Sequence, residues 1–172
     1  RLVRMNISIP LDWVTQRITK SKTNNSSEAT ERSERPREKS MKSRLRPNLK
    51  DYGNKVHSQT DEDGIIQAIF EDIPPKSRFF VEFGIGPNWL DKTYEHGIEG
   101  NCVLLKERGW TGLFMDGGNH PEQYDIRREF ITPLNINGLL RKYGTPESVD
   151  LVSIDVDGQD FWIWMALDYR PT

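Results

Sequence analysis

Apolar residues come in short blocks along this chain, and the spacing inside each block names an element. Ile65, Ile66, Ile69, Phe70 and Ile73 recur at helical spacing behind the acidic, polar stretch Ser58–Asp63. Acids in a first turn favour the positive end of a helix dipole, and Pro74–Pro75 ends the run, so a helix is predicted over about 62–72. Phe79–Phe83 (FFVEF) is short, aromatic and β-branched, with Gly84 and Gly86 behind it, and reads as a buried strand entering a tight turn. Residues 87–100 hold Trp89, Tyr94, His96 and two glycines and show no period. Asn101 is placed to cap a helix carrying Val103, Leu104 and Leu105, with Gly109 as its stop. TGLFMD, ending at Asp116, is a second buried strand before Gly117–Gly118. Glu122–Arg128 is polar, and Glu129–Leu134 (EFITPL) is the next strand candidate, weakened by Pro133. Ile136, Leu139, Leu140 and Tyr143 make a short helix closed by Gly144. Val149–Val156 is a strand ending in acids, and Phe161–Leu167 opens another helix. Strands alternating with helices predict an α/β fold: a Rossmann-like, mostly parallel sheet with flanking helices.

The first third breaks this pattern. Leu2–Val14 has the apolar content of a short strand or docking segment, interrupted by Pro10. From Thr15 to Lys50 the composition is Ser, Thr, Asn, Glu, Lys and Arg with few apolar residues, which predicts a disordered arm or linker. The 172 residues thus divide into a basic arm, 1–50, and an α/β domain, 51–172. Charge follows the same division: 13 Lys+Arg against 5 Asp+Glu in the arm, net +8, and 11 against 21 in the domain, net −10. A basic arm can attract an acidic surface. Nucleic acid is not the expected partner, because four glutamates interrupt the basic run and no aromatic lies between Arg17 and Lys50 for stacking.

A mean hydropathy of −0.71 and a hydrophobic content of 35% agree with part of the chain being unpacked. One cysteine, Cys102, excludes an intrachain disulfide and points to a reducing, cytoplasmic compartment. No apolar run reaches the roughly 18–20 residues that span a bilayer. The start at Arg1 and the stop at Thr172, soon after an apolar run, suggest a piece of a longer protein.

Three predicted strands end in acids: Glu82, Asp116 and Asp155. In a parallel sheet those ends share one edge, where open α/β sheets bind ligands. Glu82 with Gly84 and Gly86 lets a ligand approach the backbone closely, and Asp116 can accept ribose hydroxyls. Asn88 stands where a dinucleotide fingerprint has its third glycine, and Asp116 lies 30 residues beyond Gly86, against about 20 in that fingerprint, so a nicotinamide enzyme is disfavoured. Asp155 and Asp157 are candidates for shaping the substrate end or for a general base, and Asp160 for a helix-start acid. Asp155, Asp157 and Asp160 could together offer oxygen ligands to one divalent cation with help from elsewhere, but the glycine in DVDGQD is misplaced for an EF-hand calcium loop and His57, His96 and His120 lack metal spacing, so no metal ligands are assigned. Cys102 at a helix start can have a lowered pKa, although a small buried residue is the simpler reading. Phe161, Trp162, Trp164 and Met165 read most simply as a helix packed on the sheet.

Taken in order, Ser58-Gln59 with Asp63-Gly64, FVEFGIGPN, Glu99-Gly100-Asn101 through Gly109-Trp110-Thr111-Gly112 to Asp116, Asn135-Ile136, and VDLVSIDVDGQD resemble the blocks of FkbM-like S-adenosylmethionine-dependent methyltransferases. The resemblance covers roughly residues 57–165 and rests on five blocks in order. It implies a class I, Rossmann-like methyltransferase fold with S-adenosylmethionine as cofactor. By position it gives Glu82, Gly84 and Gly86 contact with the methionine part, Asp116 the ribose hydroxyls, and Asp155 and Asp157 the methyl-transfer site. Asn88 joins the cofactor-binding set at the third-glycine position. Asn101 is followed by Cys102 where the family pattern usually has Thr. In that family the sheet continues with further strands beyond the point where this chain stops. The expected function is O-methyl transfer to a hydroxyl of a small molecule or glycan. The alternative is a non-catalytic methyltransferase-like scaffold whose basic arm binds an acidic partner.

Overall fold

A computed structural model describes residues 48–87, 93–169 and 171. Most of the expected arm, the Leu2–Val14 segment and Asn88 lie outside the described residues. A 3-10 turn, Leu49–Tyr52, spans the expected domain boundary and lies against helix α1, Glu62–Asp72.

Strand β1, Phe79–Phe83, is followed by a two-residue antiparallel ladder between β2, Gly86–Pro87, and β3, Ile98–Glu99. Helix α2, Val103–Glu107, leads into strand β4, Thr111–Asp116. Strand β5, Ile126–Arg128, precedes helix α3, Ile136–Lys142. Strand β6, Leu151–Ile154, and helix α4, Asp160–Ala166, complete the described elements. The main sheet has the order β5-β4-β1-β6, and all three pairings are parallel. Counted among these four strands alone, the order is third, second, first, fourth. That is the opening of the doubly wound α/β arrangement, whose ligand crevice lies where the order reverses. The expected α/β, Rossmann-like class is therefore the observed one.

Side chains alternate across a strand, and β1 divides its residues between two cores accordingly. Phe80 packs with Phe114, Leu151, Ile66, Val103 and Leu105 on the α1/α2 face. Val81 and Phe83 pack with Met115, Val152, Ile154, Ile136, Leu140 and Ile163 on the α3/α4 face. Right-handed crossovers require this division, because the chain runs outward from β1 to β5 and then returns past β1 to β6.

Two expectations need correcting. The third strand is Ile126–Arg128, inside the stretch that reads as polar, and residues 129–134 form no strand. As an edge strand of three residues it exposes Arg127 and Arg128, and short charged strands are how sheets blunt an edge. Helix α4 buries only Ile163 fully, with Trp164 partly packed, while Phe161, Trp162 and Met165 are exposed.

The N-terminal end of the sheet is tied by Asp150. Its carboxylate accepts the backbone N–H groups of Lys76, Ser77 and Arg78 at 2.6–2.8 Å, and the Ser77 hydroxyl at 2.8 Å. Burial alone would raise its pKa, but these hydrogen bonds outweigh burial and hold the carboxyl below its ordinary value. Asp150→Ala takes the acceptor from three backbone N–H groups and the Ser77 hydroxyl next to the sheet. It is expected to lower stability by about 2–3 kcal/mol in urea unfolding at neutral pH, with an unchanged denaturant slope. A midpoint equal to that of the parent would refute this role.

Candidate functional site

At the C-terminal edge of the sheet the ends of all four strands surround a cavity of about 270 Å³. β1 contributes Gly84, β4 contributes Asp116 and Gly117, and the residues after β5 contribute Glu129, Phe130 and Ile131. Asp155 to Asp157 and Gln159, after β6, complete the wall. Four of the seven site residues expected from sequence, Gly84, Asp116, Asp155 and Asp157, therefore meet on one cavity. Glu82 and Gly86 are not part of its wall, and Asn88 lies outside the described residues.

Gly84 explains why the β1 turn and the β6 acids are neighbours. Its φ is +81°, and a Cβ there would lie 1.5 Å from the carbonyl oxygen of Asp155. Any other residue would push β1 and β6 apart at the crevice. Beyond β6 the chain turns sharply, with Asp157 at φ 56° and Gly158 at φ 103°. Asp160 fixes that turn from the first position of α4, accepting the Val156 N–H at 2.8 Å and the Gly158 N–H at 3.1 Å. The helix-start role expected for Asp160 is thus the observed one. Asp155 and Asp157 are exposed at the mouth. Partial desolvation, then the charges of Asp160, Asp157 and Glu62, push the Asp155 carboxyl above the usual carboxylate range.

Glu82 works behind the cavity. The alternation of β1 points it toward α2, where its two oxygens accept the backbone N–H groups of Asn101 at 2.6 Å and Cys102 at 2.9 Å. The acid from the strand thus supplies the anion at the start of α2, a place expected for Asn101. The Asn101 amide instead donates to Ser153 Oγ at 3.0 Å. Glu82 is 3% exposed, and burial raises its pKa to about 7 against the opposing pull of the Cys102 and Asn101 N–H groups. Cys102 is fully buried, and burial with the adjacent Glu82 pushes its thiol well above the ordinary value. The small buried residue is the right reading of Cys102, and the helix start does not activate it.

Beside the cavity lies a chain of side chains that sequence spacing gave no reason to join. Asp116 Oδ1 accepts the Gly118 N–H at 2.6 Å and lies 2.7 Å from His120 Nε2, while His120 Nδ1 lies 2.6 Å from the Tyr94 hydroxyl. Tyr94 comes from the stretch without a period, so only the fold brings it here. On the opposite wall Glu129 is held by Lys142 and by the Tyr143 hydroxyl at 2.6 Å, and these hydrogen bonds lower its pKa. Phe130 is 76% exposed beside it, a bare aromatic face on the wall.

Among the described residues no cluster of His, Cys, Asp or Glu is arranged to hold a metal ion. No described helix is long and apolar enough to cross a membrane. Comparison with protein-family models, curated proteins and solved structures returns no match for the chain.

The Glu82 geometry gives a pH signature. Its folded pKa of about 7 exceeds the unfolded value of about 4.3, so the folded state holds a proton that the unfolded chain releases. This contribution to stability is complete below the unfolded pKa and is lost as pH rises to about 7. Urea unfolding is expected to show a loss of about 3 kcal/mol between pH 5 and pH 8 from this group. Glu82→Gln should flatten that slope; parallel slopes for the two proteins would contradict the assignment.

Proposed function

We propose that this chain belongs to an S-adenosylmethionine-dependent methyltransferase that transfers the methyl to a hydroxyl of a small molecule or glycan. The observation that supports it best is electrostatic. Asp116, Glu129, Asp155 and Asp157 meet on one strand-end cavity, and no Lys or Arg is among the described residues that line it. Such a site favours a cationic occupant and disfavours the pyrophosphate of a nicotinamide dinucleotide.

The residues present suit this cofactor. The cavity is close to the roughly 300 Å³ at which small-molecule pockets begin, and it is open at the mouth. Asp116, at the end of the second parallel strand, offers a carboxylate oxygen to ribose hydroxyls. The exposed ring of Phe130 offers a flat apolar face for a heterocycle. Gly84 keeps the floor clear of side chains. When bound, S-adenosylmethionine supplies an electrophilic methyl on a positively charged sulfur.

The chain's own part is to hold and deprotonate. The acceptor hydroxyl sits at the mouth between Asp155 and Asp157, where proximity provides much of the rate. Asp155 takes the hydroxyl proton onto a carboxylate oxygen. Its raised pKa makes it a better proton acceptor than an ordinary carboxylate.

Calorimetric titration of the full-length protein with S-adenosylmethionine is expected to give a micromolar dissociation constant, weakened at least tenfold in Asp116→Ala. Absence of heat at high micromolar ligand would end the proposal. Once an acceptor is in hand, Asp155→Asn is expected to lower kcat about a hundredfold or more while leaving the affinity for the uncharged product S-adenosylhomocysteine within a few-fold. An unchanged kcat would remove Asp155 from the base role.

A further inference from the structure

Asp116 is held by a chain of hydrogen bonds that runs from the cavity to a stacked aromatic pair. The four-residue return from β4 brings His120 back onto the acid that ends the strand. The imidazole side chain is 6% exposed and the Asp116 side chain 27%. The first is enclosed and the second opens to solvent. Tyr94 meets the imidazole edge-on at 6.2 Å and stacks on Tyr124 at 5.3 Å, so its hydroxyl is aimed by two rings. Gly118 makes room for this arrangement. A Cβ on Gly118 would lie 2.9 Å from Asp116 Oδ1 and 3.3 Å from His120 Nε2, whereas one on Gly86 would meet His120 Cε1 only at an ordinary contact distance of 3.8 Å.

The hydrogen bonds have one direction in the neutral imidazole. The carboxylate can only accept, so Nε2 carries the proton and Nδ1 offers its lone pair to the Tyr94 O–H. Burial, then the charges of Asp116 and Tyr124, push the Tyr94 pKa up and keep that hydroxyl protonated as a donor. Oδ1 therefore has two donors, Gly118 N–H and His120 Nε2–H. Oδ2 has none among the described residues, and Asp116 lines the cavity. A carboxylate offers about four lone-pair positions, and this one has two spent on a single oxygen. Its rotation about the Cβ–Cγ bond is thereby fixed.

We propose that Tyr94 and His120 are positioning residues that lock Asp116 with Oδ2 turned to the cavity, making it a selective acceptor for a vicinal diol. This deepens the methyltransferase reading and rests on it for the identity of the diol. A loop staple without that role would anchor the turn but would not distinguish one ligand from another. An aimed oxygen with two unused lone pairs rewards a ligand carrying both hydroxyls and loses them if it swings away.

The test compares two probes, S-adenosylhomocysteine and its 2′,3′-dideoxy analogue, by calorimetry on the full chain. The parent protein is expected to prefer the diol at least tenfold. His120→Ala should reduce that preference to about threefold or less. His120→Gln, whose amide can still donate to Asp116, should restore most of it. Tyr94→Phe keeps the ring stacked on Tyr124 and loses only the hydroxyl. It should lower the preference several-fold, and it carries the test if His120→Ala does not fold. A full diol preference in Tyr94→Phe, or in a folded His120→Ala, overturns the positioning role. So does an equal loss of affinity for both probes in these variants. If the parent binds both probes equally, Asp116 is not a diol acceptor and the inference fails while the cofactor reading stands. If the parent binds neither probe, the methyltransferase reading fails and takes this inference with it.

Discussion

The buried carboxylate of Glu82 is the point on which the sheet edge depends. It lies in the central strand, with β4 on one side and β6 on the other. Its two oxygens hold the turn into α2, and the adjacent Asn101 reaches across to Ser153 on β6. One acid thus connects the first strand, the first crossover helix and the fourth strand. Burying it costs free energy when it is charged, and two backbone donors only partly offset that cost, as its raised pKa records. A hydrophobic residue here would leave the Asn101 and Cys102 N–H groups without an acceptor inside the protein. An alanine would also open a void beneath the crevice.

With that end of the sheet fixed, the crevice follows from backbone geometry. β1 and β6 approach so closely beyond their last paired residues that Gly84 lies against the Asp155 carbonyl. The ladder continues through this contact, with Asp155 N–H donating to the Phe83 carbonyl at 3.1 Å and Gly84 N–H to the Met115 carbonyl at 3.1 Å. The acids after each strand then have one direction in which to face, away from the sheet and into the shared opening. Asp160 closes the last turn, so Asp157 stays at the mouth.

Much of this was legible from residue pattern, because buried parallel strands are short apolar runs and strand ends in such a sheet share an edge. FFVEF, TGLFMD and VDLVSIDV announced β1, β4 and β6, and their terminal acids announced which edge carries the cavity. The same reading failed where burial is not the signal. β5 is an edge strand whose Arg127 and Arg128 face water, so hydrophobic pattern does not mark it. Glu82 was legible as an acid beside glycines, yet only the face on which it lies tells that it serves α2 and not the cavity wall. Tyr94 and His120 are 26 residues apart and share no period, so their pairing depends wholly on tertiary structure. A Gly-Gly turn after a strand acid was the one local hint, since it lets the chain fold back within four residues.

The charge of the cavity bears on how such a site would select its occupant. Of its four carboxylates, Glu129 is largely answered by Lys142 and Tyr143 behind the wall, whereas among the described residues Asp116 is bonded to the His120 imidazole and Asp155 and Asp157 have no Lys or Arg bonded to them. A single positive charge about 5 Å from one such carboxylate gains on the order of 3 kcal/mol at an effective dielectric constant near 20, less where solvent screens the mouth. A neutral occupant of the same shape gains none of this. On the proposed reading, the acids therefore hold a sulfonium more firmly than the thioether left after methyl transfer. The charge that draws the cofactor in would also favour exchange of the spent form, with no moving part required. The bound diol is common to both forms, so Asp116 would set affinity while Asp155 and Asp157 set the difference between them.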